Sequence, residues 1–355
     1  MKMVLHQKRI RIKKTVKGFL FIIYSGLFFL SLISFLQCSA SEKASKEEKE
    51  LVWPLPPEKP RIKYLQSLSD RKSIEGSGSK FLESLLGEEK SDALQKPYGV
   101  AVDKNDKVYV TESNGGKIFV FDLKNSKLTF IMNGSLIMPI GVAVDSLNNI
   151  YVSDVKLKTV LVFDAKGELK RSFGENGEIE NPAGLAIDTK LKRIYVSDSK
   201  AHAVKIYTLD GKFIFSFGKR GSGDGEFNYP TNIAIDKNGN IYVVDTMNAR
   251  VEVFNSEGKY LWKFGSLGDS PGQFTRPKGI ALDSQENIYV VDAAFNNFQI
   301  FDKEGKLLMH VGGLGKEPGN FWLPAGIYID KDDRIFVVDP SNSRVQIFQL
   351  IKYSE

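Results

Sequence analysis

The chain has 355 residues, 31 of them Gly and 24 Phe, and a formal net charge of +6. The positive excess is local: Lys2, Lys8, Arg9, Arg11, Lys13, Lys14 and Lys17 lie in residues 1–37, which hold no acid, and the remainder carries 42 bases against 43 acids. A near-neutral body argues against a phosphate-backbone face, and the single cysteine, Cys38, excludes disulfides and thiolate metal sites from it.

The first 18 residues are basic, and Phe19–Leu36 is an apolar run of 18 residues. A positive segment followed by an apolar one is the pattern of an export signal, and the length is close to what a bilayer span needs. Three outcomes fit: cleavage before an acylated Cys38, an uncleaved anchor, or an ordinary cleaved signal. Each puts the body outside the cytoplasm, in the cell envelope and facing the periplasm or the exterior. Gln37 and Phe35 depart from the usual residues of a lipidation motif. Residues 38–60 read as a tether. Ser39–Glu50 is rich in Lys, Glu and Ser, and Val52–Pro60 is held extended by its prolines. Trp53 would either dock on the body or sit in a spacer.

Arg61–Asp70 reads as a strand without a nearby partner. Ser79–Leu86 carries a short helical pattern, with Ser79 as N-cap and Gly87 as terminator. A repeat then begins. Its opening prolines are Pro97, Pro139, Pro182, Pro230, Pro277 and Pro324, at spacings of 42, 43, 48, 47 and 47. Each repeat opens with a run such as Gly99–Asp103 or Gly141–Asp145, followed by one such as Ile150–Asp154 or Ile241–Asp245. Two further alternating runs follow in the first five repeats, while the sixth stops one run short. Four short strands per period of some forty residues means propeller blades. The orphan Arg61–Asp70 supplies the missing strand. The expected fold is all-β: a six-bladed β-propeller over residues 61–355, with an N-terminal strand closing the last blade. Closure of that kind removes the open edges of the ring.

The repeat resembles the NHL repeat. The last three copies carry the resemblance best, in Gly221–Pro230, Gly268–Pro277 and Gly315–Pro324, with the turns Asn248-x-Arg250 and Asn342-x-Arg344. Lys117, Thr159, Ala203 and Asn297 stand where the other copies would have that Arg. With its leader and tether, the chain is similar to envelope-anchored NHL-propeller lipoproteins of Gram-negative bacteria. Propellers of this kind include lyases with a three-histidine zinc site, related lactonases with a channel calcium, and eukaryotic RNA binders.

The body has only His202 and His310, so three imidazole ligands cannot be assembled. His202 is expected at the surface. Asp103, Asp145, Asp188, Asp236, Asp283 and Asp330 recur at one position in every repeat, which marks turn residues. Residues 236–240 resemble the start of a calcium loop, but Met247 occupies the position that needs Glu. Asp245 and Asp339 are expected to clasp Arg250 and Arg344. Gly221-x-Gly223-x-Gly225 precedes a strand and lacks the helix N-terminus of a phosphate cradle.

These readings point to a scaffold or binding protein that is not an enzyme, with no cofactor, no metal site and no nucleic-acid partner. It would hold the membrane by a lipid or a helix and engage a protein partner through its loops. A divergent propeller hydrolase or lyase, or a small-molecule or glycan sensor, are the alternatives. Loops between repeats and turns between second and third strands should share one face. The residues there that repetition does not explain are Tyr98, Tyr229, Met247, Arg276, Lys278, Phe295 and Trp322, the candidate contact set.

Overall fold

A computed structural model describes residues 50–75, 92–132 and 134–353. The apolar run, Cys38 and the expected helix over Ser79–Leu86 lie outside the described residues. Among the described residues no helix is long and apolar enough to cross a membrane.

Six antiparallel sheets follow one another along the chain. The first blade is Pro97–Val102, Lys107–Glu112, Lys117–Asp122 and Lys127–Ile131. The second starts at Pro139–Val144, the third at Pro182–Asp188, the fourth at Pro230–Ile235 and the fifth at Pro277–Leu282. Each is a four-stranded meander with its strands in chain order. The molecule is a six-bladed β-propeller. The sixth blade holds Ile327–Ile329, Arg334–Asp339 and Arg344–Leu350, and is completed by Ile62–Leu68, which pairs with the last of these from Ile62↔Leu350 to Leu68↔Val345.

The chain adds a strand that the repeat count does not contain. Val52–Trp53 pairs with Lys63 and Ile62, so the last blade has five strands. Trp53 packs edge-on against Phe348 at 5.7 Å. Of the two readings of this stretch, docking is the one seen.

The apolar residues form six clusters, one at each junction between neighbouring blades. Val100, Phe119 and Phe121 meet Phe336 and Val345 between the sixth and first blades, and Tyr195 and Val204 meet Ile233 and Phe254 between the third and fourth. Large side chains therefore fill the wedges between blades, and the innermost strands must be lined with small residues. A Cβ on Gly141 would overlap the Ala183 carbonyl oxygen, and one on Gly326 would lie 2.5 Å from the Tyr98 oxygen. The ring closes at a spacing that only glycine allows there.

The recurring aspartates are structural. Asp103 Oδ1 accepts the N–H groups of Asn105 and Lys107 at 2.8 and 3.0 Å, and the same turn recurs at Asp145, Asp236, Asp283 and Asp330.

Candidate functional site

The inner strands begin with a shared irregularity. In the first five blades the ladder jumps from the opening proline to the third residue after it, as from Pro97↔Glu112 to Val100↔Val110. Such a bulge frees one or two residues from the pairing and re-aims their side chains. The residue just after the proline is Tyr98, Ile140, Ala183, Thr231 or Lys278. All five line one cavity of 430 Å³ at the mouth of the central channel. The sixth blade lacks this irregularity, and its Ala325 is not among the lining residues.

Each blade fixes its successor's contribution. Thr111 Oγ1 accepts the Gly99 N–H at 2.8 Å and donates to the Ile140 carbonyl at 2.7 Å. Ser153 does the same for Gly141 and Ala183, and Ser197 for Gly184 and Thr231. The fourth blade has Val244 at that place and uses other side chains. Thr231 Oγ1 and Asn232 Nδ2 donate to the Lys278 carbonyl at 3.1 and 3.0 Å, while Thr246 Oγ1 donates to that of Pro277 at 2.9 Å. The carbonyls under Ile140, Ala183, Thr231 and Lys278 are thus held from the preceding blade.

The loops entering the blades are held just as firmly. A buried carboxylate at the end of each second strand accepts their backbone N–H groups. Asp198 takes Glu180 and Asn181 at 2.8 and 2.9 Å, and Asp292 takes Thr275 at 2.7 Å and Arg276 at 3.1 Å. The expected clasps are present within single blades, Asp245–Arg250 and Asp339–Arg344, both at 2.9 Å. Arg250 also donates to the carbonyls of Ser222, Gly223 and Glu226, which ties the clasp to the entering loop.

Tyr98, Tyr229, Met247 and Lys278, four of the seven contact candidates, line the mouth cavity together. Tyr229 is 48% exposed and Met247 63% exposed at its rim. Arg276 is exposed two residues before Lys278. Phe295 and Trp322 are on the same face but outside the cavity lining. Ile140, Val155, Asn181, Ala183, Ser199, Thr231 and Thr246 were missed by the sequence reading. Five of the lining residues share one signal, a position just after the repeat proline that differs in every blade.

Burial raises the Tyr98 phenol above its ordinary value. Burial also lowers Lys278, and the nearby Arg276 charge adds to that shift. Beneath the mouth, a second cavity of 330 Å³ runs down the channel between apolar strands, from Tyr98 to Tyr328. His202 is not at the surface, as expected from the sequence, but 8% exposed. Its ring is covered by Tyr229, with centroids 4.8 Å apart; its Nδ1 lies 3.2 Å from both the Tyr229 N–H and the Phe227 carbonyl, and accepts the N–H in the Nε2–H tautomer.

Residues 185–251, 237–298 and 284–355 each match a family model described as a 6-bladed beta-propeller. A search of curated proteins finds no match. Among solved structures, the chain is similar to a catalytically inactive virginiamycin B lyase from Staphylococcus aureus at 16% identity, with a TM-score of 0.56, over 82% of this chain and 100% of that one. It is similar to a gluconolactonase from Xanthomonas campestris at 14% identity, with a TM-score of 0.59, over 73% and 87%. A chain of a nidogen/laminin complex matches at 21% identity, with a TM-score of 0.54, over 68% and 89%.

These are likenesses of fold, and they correct one expectation. The histidine count led to the view that the protein is not an enzyme. Propeller lyases and lactonases stand among its structural neighbours, so that exclusion does not hold. Too few histidines speaks against a three-histidine zinc site alone.

Proposed function

We propose that the protein is a binding protein of the cell envelope that takes a partner polypeptide on its loop face, with the cavity at the channel mouth as the principal contact. One observation carries this reading: five residues of different chemistry, one from each of five blades, converge on a single cavity. Repetition alone would make that ring uniform. Its volume is within the range of ligand sites, about 300–1,000 Å³. The exposed Tyr229, Arg276 and Trp322 around it are of the types that dominate contact energy at interfaces, and Met247 of a type enriched there. The resemblance to envelope-anchored NHL propellers, the basic and apolar leader and Cys38 support placement in the envelope.

Photo-crosslinking in intact cells tests the binding face. A benzophenone side chain at Tyr229 or Met247 should give one discrete adduct, absent when the probe replaces Asn238 on the opposite face. Identical adducts from both faces, or none from either, would overturn the reading. For the anchor, Cys38→Ala should abolish labelling by a radioactive fatty acid, and persistent labelling would refute acylation at that residue.

The second reading is a small-molecule ligand, favoured by the 330 Å³ of channel directly beneath the mouth. Ligand-induced thermal shift across a metabolite panel, with Tyr98→Ala as control, distinguishes it.

A further inference from the structure

Charge at the channel mouth is one-sided. Among the described residues Lys278 is the sole charged one lining the mouth cavity, and the lining of the channel below includes none. Among the described residues neither Lys278 nor Arg276 forms a side-chain ion pair. The charged neighbour that acts on Lys278 is Arg276, a second cation. Three other cations of this face are neutralised: Arg250 and Arg344 are clasped by Asp245 and Asp339, and Lys205 lies 3.1 Å from Asp198. A half-buried ammonium beside another cation, above a channel lined by no charged residue, is a costly arrangement that an anion would relieve.

Resting on the partner-binding reading, we propose that the mouth cavity receives a carboxylate, borne by an acidic side chain of the partner polypeptide, with Lys278 as its counter-ion. Arg276 stands at the rim as a second, more solvated cation. The apolar residues flanking the carboxylate in the partner would lie against Ile140, Val155 and the exposed part of Met247. Thr231 and Ser199 also line the cavity, with their hydroxyls donated to the Lys278 and Pro230 carbonyls. The carbonyl of Lys278 is held by Thr231 and Asn232 of the preceding blade, so the backbone that carries the amine is fixed before a ligand arrives. A polypeptide is favoured over a free acid because the mouth opens among exposed apolar residues that a chain continuing beyond the cavity would cover.

The test uses the full chain in detergent and three probes: N-acetyl-Phe-Glu-Phe amide, its Gln twin, and phenylacetate. Titration calorimetry should find the Glu peptide bound about tenfold or more tightly than the Gln twin. Lys278→Met should bring that ratio close to one, and Lys278→Arg should retain most of it, with both variants showing the circular dichroism of the parent. Equal affinity for the twins, or a preference that survives Lys278→Met, overturns the proposal. Binding of phenylacetate without either peptide overturns the polypeptide source and assigns the site to a free organic acid. Failure of all three probes overturns the carboxylate assignment. The partner reading would still stand or fall on the crosslinks at Tyr229 and Met247, which do not depend on charge.

Discussion

The Nδ1 of His202 accepts the backbone N–H of Tyr229 at 3.2 Å, across the junction between the third and fourth blades. The fifth blade makes the same contact with a different side chain: Asn296 Oδ1 accepts the Leu323 N–H at 2.8 Å. His202 and Asn296 share left-handed backbone angles, φ 54° and 56°, and so do their targets Tyr229 and Leu323, φ 56° and 55°. Each target precedes a repeat proline, and neither is the glycine or asparagine that tolerates this conformation most readily. The contact from the preceding blade holds the strained residue in place.

His202→Ala should therefore cost about 1–3 kcal/mol, the usual penalty for leaving a buried donor unpaired. His202→Asn should cost less, because the Asn296 geometry shows that an amide oxygen can serve. Urea denaturation reads the stability. Hydrogen exchange at the Tyr229 amide, faster in the Ala variant alone, would locate the effect.

Glu252 gives a pH-dependent prediction. Burial pushes its carboxyl up to about 7, from an ordinary 4.5, and its Oε2 has no partner. A carboxyl raised in the folded state holds a proton that the unfolded chain releases, so stability falls as pH rises from about 4.5 through 7. The fifth and sixth blades carry Gln299 and Gln346 in the matching role. Gln346 accepts the Gly319 N–H at 2.8 Å and donates to the Asn320 carbonyl at 2.7 Å. Glu252→Gln should flatten the slope and stabilise the protein at pH 8 by on the order of 1–3 kcal/mol, with little change at pH 4. Urea midpoints at the two pH values check it.

Gly141→Ala should be severely destabilising, by about 3 kcal/mol or more, because the new Cβ meets a carbonyl oxygen and the Ser153 hydroxyl of a closed ring. Gly115→Ala is the control. Its Cβ would find its nearest neighbour, the Glu112 side chain, at 3.4 Å, and the change should stay within about 0.5 kcal/mol. Thermal melts of the two variants compare them.

Trp53→Ala should release the added strand and leave the six blades folded, at a cost of about 2 kcal/mol for a half-buried aromatic. Limited proteolysis should then cut within residues 51–60 faster than in the parent.

The propeller was legible because its constraints are local and repeated. Gly99, Gly141 and Gly326 announce the crowded inner strand, and the sixth repeat, one strand short, announces that Ile62–Leu68 must return to it. What escaped the sequence depends on how neighbouring repeats meet. Thr111, Ser153 and Ser197 sit where later copies have Val244, Val291 and Val338, yet their bonds to the next blade follow only from closure of the ring. Two residues followed by Pro54 are too few to show a strand's alternation, so Val52–Trp53 could be read as docked or as spacer but not as a strand. His202 read as a surface turn residue because nothing local indicates that Tyr229, 27 positions on, covers it. Of the site, Tyr98 and Lys278 were visible as oddities, whereas the ring they belong to becomes visible only when the shared bulge is seen.

The added strand also sets the order in which the molecule would yield to tension. A pull on the chain ahead of Val52 reaches two residue pairs first, Val52↔Lys63 and Trp53↔Ile62, before it loads the longer seam between Ile62–Leu68 and Arg344–Leu350. The short hairpin can peel away while the clasp of the ring stays shut. Under such a load the two pairs would part before the seam that closes the ring.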